Sequence, residues 1–416
     1  MTGTAGPVAP SERIAEIDIV RGCALLGIFI MNMPAFSSSV FAGADGSHLF
    51  PLLYDRVAEE ARDVLFSGKF NSMFSFLFAV GFTIQLGRLE AKEPGAARGI
   101  YLRRILILLA LGLTHALVFW WGDVLHIYAV LGLLLLVGLR RLSDRMLVVL
   151  MVACIAIPTL GSIALKFTLP PEYFQQRLAV AHAFELSDNL AFGHGSFAAA
   201  AQENTRITAF FYTDPGALWA TIRFYLEMTT TLLLGLIAGR HLWLQRVAEN
   251  LGWIRRAQLV ALAGGILAGG VVLASSLNYD PSRITVLGIA GGLSYRLCRL
   301  GLMIFYVTSI VRLAQRPAWR QRFKPIALAG RMPLTNYLLQ TAMATFIFNG
   351  WGLGYWNRVG PLAGVGLAIA LYALVQLPLS SWWFGRFRYG PLEYLWRAAT
   401  YGRLPPMRAP LAASAT

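Results

Sequence analysis

Residues 103–132 read RRILILLALGLTHALVFWWGDVLHIYAVLG. The two apolar runs in this stretch, 103–121 and 123–139 when extended to their ends, are each about as long as a helix crossing a bilayer core of about 30 Å. Little more than Gly122 and Asp123 joins them, so they form a tight helical hairpin. Outward from it the pattern repeats, and ten such segments can be drawn: 19–41, 66–87, 103–121, 123–139, 146–166, 217–239, 257–276, 285–311, 333–352 and 361–384. Only 14% of the 416 residues are charged, whereas soluble domains carry about a quarter, which excludes both an ordinary soluble fold and disorder. Three scattered cysteines make no disulfide framework. The expected class is all-α, a polytopic membrane protein of about ten transmembrane helices.

The net charge of +15 would suit nucleic acid, but the cations sit at alternate ends of the apolar runs. Arg88, Lys92, Arg98, Arg103 and Arg104 follow the second segment, and Arg140, Arg141 and Arg145 follow the fourth. The same sign returns after the sixth and eighth segments and in the tail. The opposite loops are different: 42–65 holds Asp45, Asp55, Glu59, Glu60 and Asp63 against two arginines, and 277–284 holds only Asp280 and Arg283. The positive-inside rule then puts both termini in the cytoplasm and reads the charge as topology, with lipids as the surroundings and no nucleic-acid partner. The chain divides into a cytoplasmic N-terminus (1–18), a transmembrane domain (19–384) and a cytoplasmic tail (385–416). No apolar stretch precedes Asp18, so no cleavable signal is expected. The long outer loop 167–216 contains PPEYFQQRLAVAHAFEL, with Phe174, Leu178, Ala181 and Phe184 near helical spacing, which predicts an interfacial helix that either caps an outward cavity or rests on the membrane.

Ionisable groups inside apolar spans cost at least about 2.5–3.5 kcal/mol at the bilayer centre, so they mark the place to look for function. Arg21 opens the first segment and Asn32 stands eleven residues on, about 16 Å along a helix; Arg104 and His115 have the same spacing in the third. The Gly122 turn faces His115 toward Asp123, a pair in which a carboxylate orients an imidazole acting as general base. Asp123 serves equally well as an N-cap of the fourth segment. His126 is a second candidate base. Asn32 either hydrogen-bonds a developing oxyanion or, with Pro34, marks a broken helix end.

Arg223 and Glu227, one turn apart, read as an ion pair. Arg296 and Arg299 lie mid-span with no acid in their own segment, so they meet Glu227 or face a cavity holding an anionic ligand. Lys69 is expected to snorkel to the interface. The chain has no GxxxxGK[ST] loop, HExxH, paired CxxC or GxSxG elbow, which leaves nucleophilic catalysis through Ser or Cys and built-in metal chemistry without support.

The stretches DIVRGCALLGIFIMNMPAF (18–36), KFNSMFSFLFAVGF (69–82), 103–132, GRMPLTNYLLQT (330–341) and YGPLEYLWRAATYG (389–402) resemble the YeiB-like family of bacterial inner-membrane proteins, and together they span almost the whole chain. That family is in turn similar to transmembrane acyltransferases such as heparan-alpha-glucosaminide N-acetyltransferase. The resemblance implies an acyltransferase of the bacterial cytoplasmic membrane that moves an acyl group from cytoplasmic acyl-CoA, acetyl-CoA first among donors, to a hydroxyl or amine of an extracytoplasmic small-molecule or glycan acceptor. His115 would then be the base oriented by Asp123, and Asn32 would bind the thioester oxygen. Arg21 and Arg331, at cytoplasmic ends, would meet the CoA phosphates. A proton-coupled transporter of a small or anionic solute is the rival reading, and self-association is left open.

Overall fold

The computed structural model describes residues 14–278 and 285–408. Residues 1–13, the loop containing Asp280 and Arg283, and the tail beyond 408 lie outside the described residues. The described residues form α1 (Ala15–Ser37), α2 (Leu53–Leu65), α3 (Lys69–Lys92), α4 (Ala97–Thr114), α5 (Leu125–Val137), α6 (Asp144–Thr168), α7 (Pro171–Ala191), α8 (Phe197–Thr213) and α9 (Pro215–Arg240). They continue with α10 (Val247–Leu277), α11 (Val286–Ala314), α12 (Pro317–Arg322), α13 (Lys324–Arg331), α14 (Pro333–Phe348), α15 (Pro361–Leu371), α16 (Leu377–Phe384) and α17 (Pro391–Tyr401). Single π-turns, His115–Phe119 and Tyr372–Gln376, extend α4 and join α15 to α16. The fold is all-α and multi-pass.

Each of the ten segments drawn from the sequence is helical, but by length and composition eight stretches among the described residues suffice to cross a membrane. The two that fall short are α5 and α14, with 13 and 16 residues. The apolar run overstates them, because residues at its ends are spent on the turn at Asp123 and on the loop after Phe348.

Helix α1 is the central post, packed against α3, α11, α13, α14 and α15. Its crossing with α13 is possible only because both sides lack a side chain: a Cβ on Gly330 would lie 1.9 Å from the Asp18 carbonyl oxygen, and one on Gly22 would lie 2.1 Å from that of Ile326. Arg331 follows Gly330 directly and so is fixed beside the start of α1. The polar positions of α14 fall into two stripes one turn apart. Asn336 and Gln340 face α1 and the second π-turn, where Gln340 Nε2 donates to the Leu25 carbonyl (3.1 Å) and Gln376 Nε2 to the Asn336 carbonyl (2.8 Å). This amide ladder is closed on itself, as buried polar groups in a membrane span must be. The second stripe, Tyr337 and Thr341, faces the end of α4.

At the end away from the basic loops, α7, α8 and the 349–360 loop form a cover. Asn189 Oδ1 accepts from Trp356 Nε1 (2.8 Å) and Asn357 Nδ2 (2.9 Å), and Phe184 stacks on Phe41. Asp188, fully buried, accepts from the Ser39 hydroxyl just past α1. Burial pushes the Asp188 carboxyl up to about 8, with the Ser39 hydroxyl pulling the other way and the nearby Glu203 carboxylate adding to the rise. The folded state therefore holds a proton that the unfolded chain has released above its ordinary carboxylate pKa, so this contribution to stability is full at low pH and is lost as pH rises toward 8. Thermal unfolding of the purified protein should show a melting temperature that falls over this window by more in the wild type than in Asp188→Asn, which is neutral throughout; equal slopes refute the assignment.

Candidate functional site

Asp123 sits in the five-residue turn between the π-turn and α5, with its carboxylate wholly inside the protein. Its Oδ1 lies 2.8 Å from His115 Nδ1, and its Oδ2 lies 2.7 Å from His126 Nδ1 and accepts the His126 backbone N–H at 2.9 Å. The two readings made from the sequence thus hold together: the same carboxylate caps the start of α5 and orients an imidazole. Both imidazoles turn Nδ1 toward Asp123, so the three groups do not converge on one point. Among the described residues no group of three His, Cys, Asp or Glu is arranged to hold a metal ion.

Local structure explains why the pair meets. Gly112 on α4 packs against the first turn of α5 so closely that a Cβ would lie 2.3 Å from the His126 nitrogen. The π-turn then shifts the register of α4, with Trp120 N–H donating to the His115 carbonyl across five residues (2.9 Å). Such a turn frees carbonyls, and α8 supplies donors: Thr205 Oγ1 donates to Leu117 O (3.0 Å) and Thr208 Oγ1 to Ala116 O (3.4 Å). Asn204 Oδ1 accepts the Trp121 N–H at 3.0 Å. This role of α8 was not legible in the sequence, because its partners lie about ninety positions away.

From the two histidines hydrogen bonds extend in opposite directions. His115 Nε2 is 3.0 Å from Thr341 Oγ1, and His126 Nε2 is 2.6 Å from the Tyr212 hydroxyl, which touches that of Tyr225 (3.2 Å). Asn32, half-buried in the last two turns of α1, takes no part in these bonds. Asn32 is also not among the residues lining the cavity described below, and Phe36 and Trp120, with ring centroids 4.2 Å apart, pack between α1 and the turn.

A cavity of about 310 Å³ opens at the basic end of the bundle. Arg21, Arg88, Lys92, Arg104, Arg331 and Arg397 line it, against the two acids Asp18 and Glu393. Arg21 is 3.4 Å from Asp18, and Glu393 is committed to capping α14, accepting from Leu334 N (2.7 Å), Thr335 N (3.1 Å) and Thr335 Oγ1 (2.6 Å). The lining is therefore strongly cationic. Its inner wall reaches Val124, Leu125 and Tyr337. The Tyr337 ring lies 5.4 Å from the His115 ring, and its buried hydroxyl finds no hydrogen-bond partner. Arg21 and Arg331, named together from the sequence, line one cavity whose wall at Tyr337 lies beside the histidine site.

The other cations behave differently. Glu227 is taken by Arg299 and, at 3.5 Å, by Arg296, both on α11, and Arg299 Nε also donates to Ser72 Oγ (2.7 Å). The space beside them is about 20 Å³, room for about one water. The anion-binding reading of Arg296, Arg299 and Glu227 is therefore corrected to an internal ion triad, and the Arg223–Glu227 pair to a pair across helices. Lys69 does not snorkel: it is buried, donating to the Asp63 carbonyl at 2.9 Å between α2 and α3. Glu227→Gln strands two guanidinium groups and is expected to cost about 3–5 kcal/mol, with Glu227→Gln/Arg299→Met recovering part of that loss. Chemical unfolding that finds the double variant less stable than the single one contradicts this.

The family described as "Protein of unknown function (DUF418)" matches residues 238–403. YxaH of Bacillus subtilis, described as an uncharacterized protein, is 30% identical over 411 residues, covering 95% of this chain and 96% of YxaH. A 39.9 kDa protein from the amylase 3' region of Bacillus acidopullulyticus is 28% identical over 96% of this chain and 97% of its own length. YeiB of Escherichia coli is 27% identical over 94% of this chain and 96% of its own.

Proposed function

The chain belongs to the YeiB-like family, whose DUF418 segment it carries, and we propose that it is an acyltransferase of the bacterial cytoplasmic membrane. It takes an acyl group from acyl-CoA on the cytoplasmic side and passes it to a hydroxyl or amine of an acceptor arriving from outside. The observation that carries this reading is the cationic cavity whose inner wall reaches the side of the His115–Asp123 pair. Guanidinium forks suit phosphates, and six cations against two acids suit a ligand bearing several negative charges on one end. CoA is such a molecule, with its thioester at the other end. Arg21 and Arg331 hold the phosphates near the mouth, and the thioester reaches the Tyr337 hydroxyl, which is free to donate to the carbonyl oxygen as charge develops there. His115, fixed through Nδ1 by Asp123, presents Nε2 as the base.

Proton-coupled transport is favoured by one observation, the hydrogen-bonded chain from Thr341 through His115, Asp123 and His126 to Tyr212, whose side chain is partly exposed. The two readings differ in what the protein consumes. Under acyltransfer, saturating acyl-CoA stabilises the protein, by about 2.7 kcal/mol at a hundred times its dissociation constant. His115→Ala and Asp123→Asn each lower the release of CoA thiol by about 10²–10⁴-fold, and the double variant is no worse than the stronger single one, because a carboxylate has nothing to orient once the imidazole is gone. Full turnover by correctly folded His115→Ala removes the base role. A solute flux that needs His115, with no acyl-CoA binding, replaces the enzyme by the transporter.

Sidedness follows from the basic loops. In a chain lacking Cys23, Cys154 and Cys298, Lys92→Cys should resist a membrane-impermeant maleimide added to intact cells, and a cysteine at Ser47 should react. Strong labelling at position 92 inverts the orientation and with it the side from which the donor comes.

A further inference from the structure

Threonines on the helices of this protein usually turn back on their own backbone. Thr229, Thr230, Thr345 and Thr400 each donate to the carbonyl four residues earlier, at 2.7 to 3.1 Å. Thr341 does otherwise, with its Oγ1 directed at His115 Nε2, 3.0 Å away. His115 Nδ1 is in turn 2.8 Å from Asp123 Oδ1, and the three residues are only 2%, 3% and 3% exposed. Asp123 as a carboxylate can only accept, so the network assigns the His115 proton to Nδ1 and leaves Nε2 with its lone pair. In the neutral imidazole, Thr341 then donates its hydroxyl hydrogen to Nε2. Hydroxyl, imidazole and carboxylate in this order and with this direction of donation are the arrangement that turns an alcohol into a nucleophile.

We propose that Thr341 is that nucleophile and holds the acyl group as an ester between donor and acceptor. The inference rests on the acyltransfer reading and deepens it. Tyr337, which lines the donor cavity, is one helical turn before Thr341 on the same face of α14, with about 5–6 Å between their Cβ atoms, so Thr341 stands just behind the cavity's inner wall. In the first half-reaction Oγ1 attacks the thioester carbon, the Oγ1–C bond forms and the C–S bond breaks. The hydroxyl proton moves to His115 Nε2 and then to the departing thiolate, giving CoA thiol. In the second half the acceptor oxygen or nitrogen attacks the ester carbon, its bond to that carbon forms as the Oγ1–C bond breaks, and the proton it loses passes through His115 Nε2 to Thr341 Oγ1. Donor and acceptor then need not occupy the site together, which suits substrates arriving from opposite faces of a membrane.

The test mixes full-length purified protein with acetyl-CoA, without acceptor, and follows thiol release and intact mass; butyryl-CoA and palmitoyl-CoA are run alongside. Wild type is expected to release about one equivalent of CoA in a burst and to carry the acyl group on Thr341 in peptide mapping. Thr341→Ser keeps the burst, Thr341→Val abolishes it, and His115→Ala slows it by about 10²–10⁴-fold. Thr341→Ser also guards against a folding artefact, as do unchanged melting temperatures. If wild type is stabilised by a thioester yet releases no CoA until an acceptor is added, or if Thr341→Val releases CoA at the wild-type rate, no ester forms on Thr341: the covalent route falls and acyltransfer stands. If wild type neither is stabilised by nor consumes any of the three thioesters, both fall together.

Discussion

A carboxylate buried in the middle of an apolar bundle must have its oxygens satisfied, and Asp123 meets that demand with two imidazoles and a backbone N–H. Much of the surrounding architecture follows from placing these donors. The hairpin has to be tight, so Gly112 lets the first turn of α5 come against α4. His115 has to swing toward the turn, so α4 ends in a π-turn, and the carbonyls this exposes call for donors that only another helix can bring. That helix is α8, which is why an outer loop in the sequence becomes an integral wall of the site. Removing any of these parts leaves a polar group unpaired in a region where water cannot make good the loss.

The same residue type does opposite work in two places according to the space around it. Arg296 and Arg299 face a gap that admits about one water, share Glu227, and tie α11 to α9 and α3. Arg21, Arg88 and Arg331 line an opening about fifteen times larger. Charge alone does not tell a guanidinium closed into the packing from one beside a cavity; the volume around it does.

This dependence on surroundings also marks what the sequence could and could not tell. Helices announce themselves locally through apolar length, so all ten segments and the hairpin turn were legible, as was the Asp123–His115 pair, whose members are eight residues apart. The partners across the bundle were not. Glu227 was paired with Arg223 because one-turn spacing is visible in a sequence, while its contacts with Arg296 and Arg299, about seventy residues away, were legible only as one of two alternatives, from the lack of an acid in their own segment. Thr341 sat within a quoted motif yet went unread, since a threonine in an apolar helix looks inert until its hydroxyl is seen leaving its own backbone. Its distance from His115 in the chain, 226 residues, defeats any spacing argument. The nearest signal was the doubled polar stripe of LTNYLLQT, in which Asn336 and Gln340 are consumed by structure and Tyr337 and Thr341 are left over.

The branch through His126 and Tyr212 bears on which chemistry the site performs. When a thioester acylates an alcohol or amine, the proton lost by the acceptor ends on the thiol, so no net proton leaves the site. Under that reading His126 and Tyr212 carry nothing; they hold the second oxygen of Asp123 so that the first stays aligned with His115 Nδ1. A transporter coupled to protons would instead need every link of the chain to titrate or rotate in turn. The geometry bears most directly on the first role. Asp123 Oδ2 is anchored by the His126 backbone N–H as well as by the ring, and a backbone donor at the start of a helix cannot move with a passing proton. A carboxylate pinned by main chain on one side and hydrogen-bonded to the His115 ring on the other is held in one orientation.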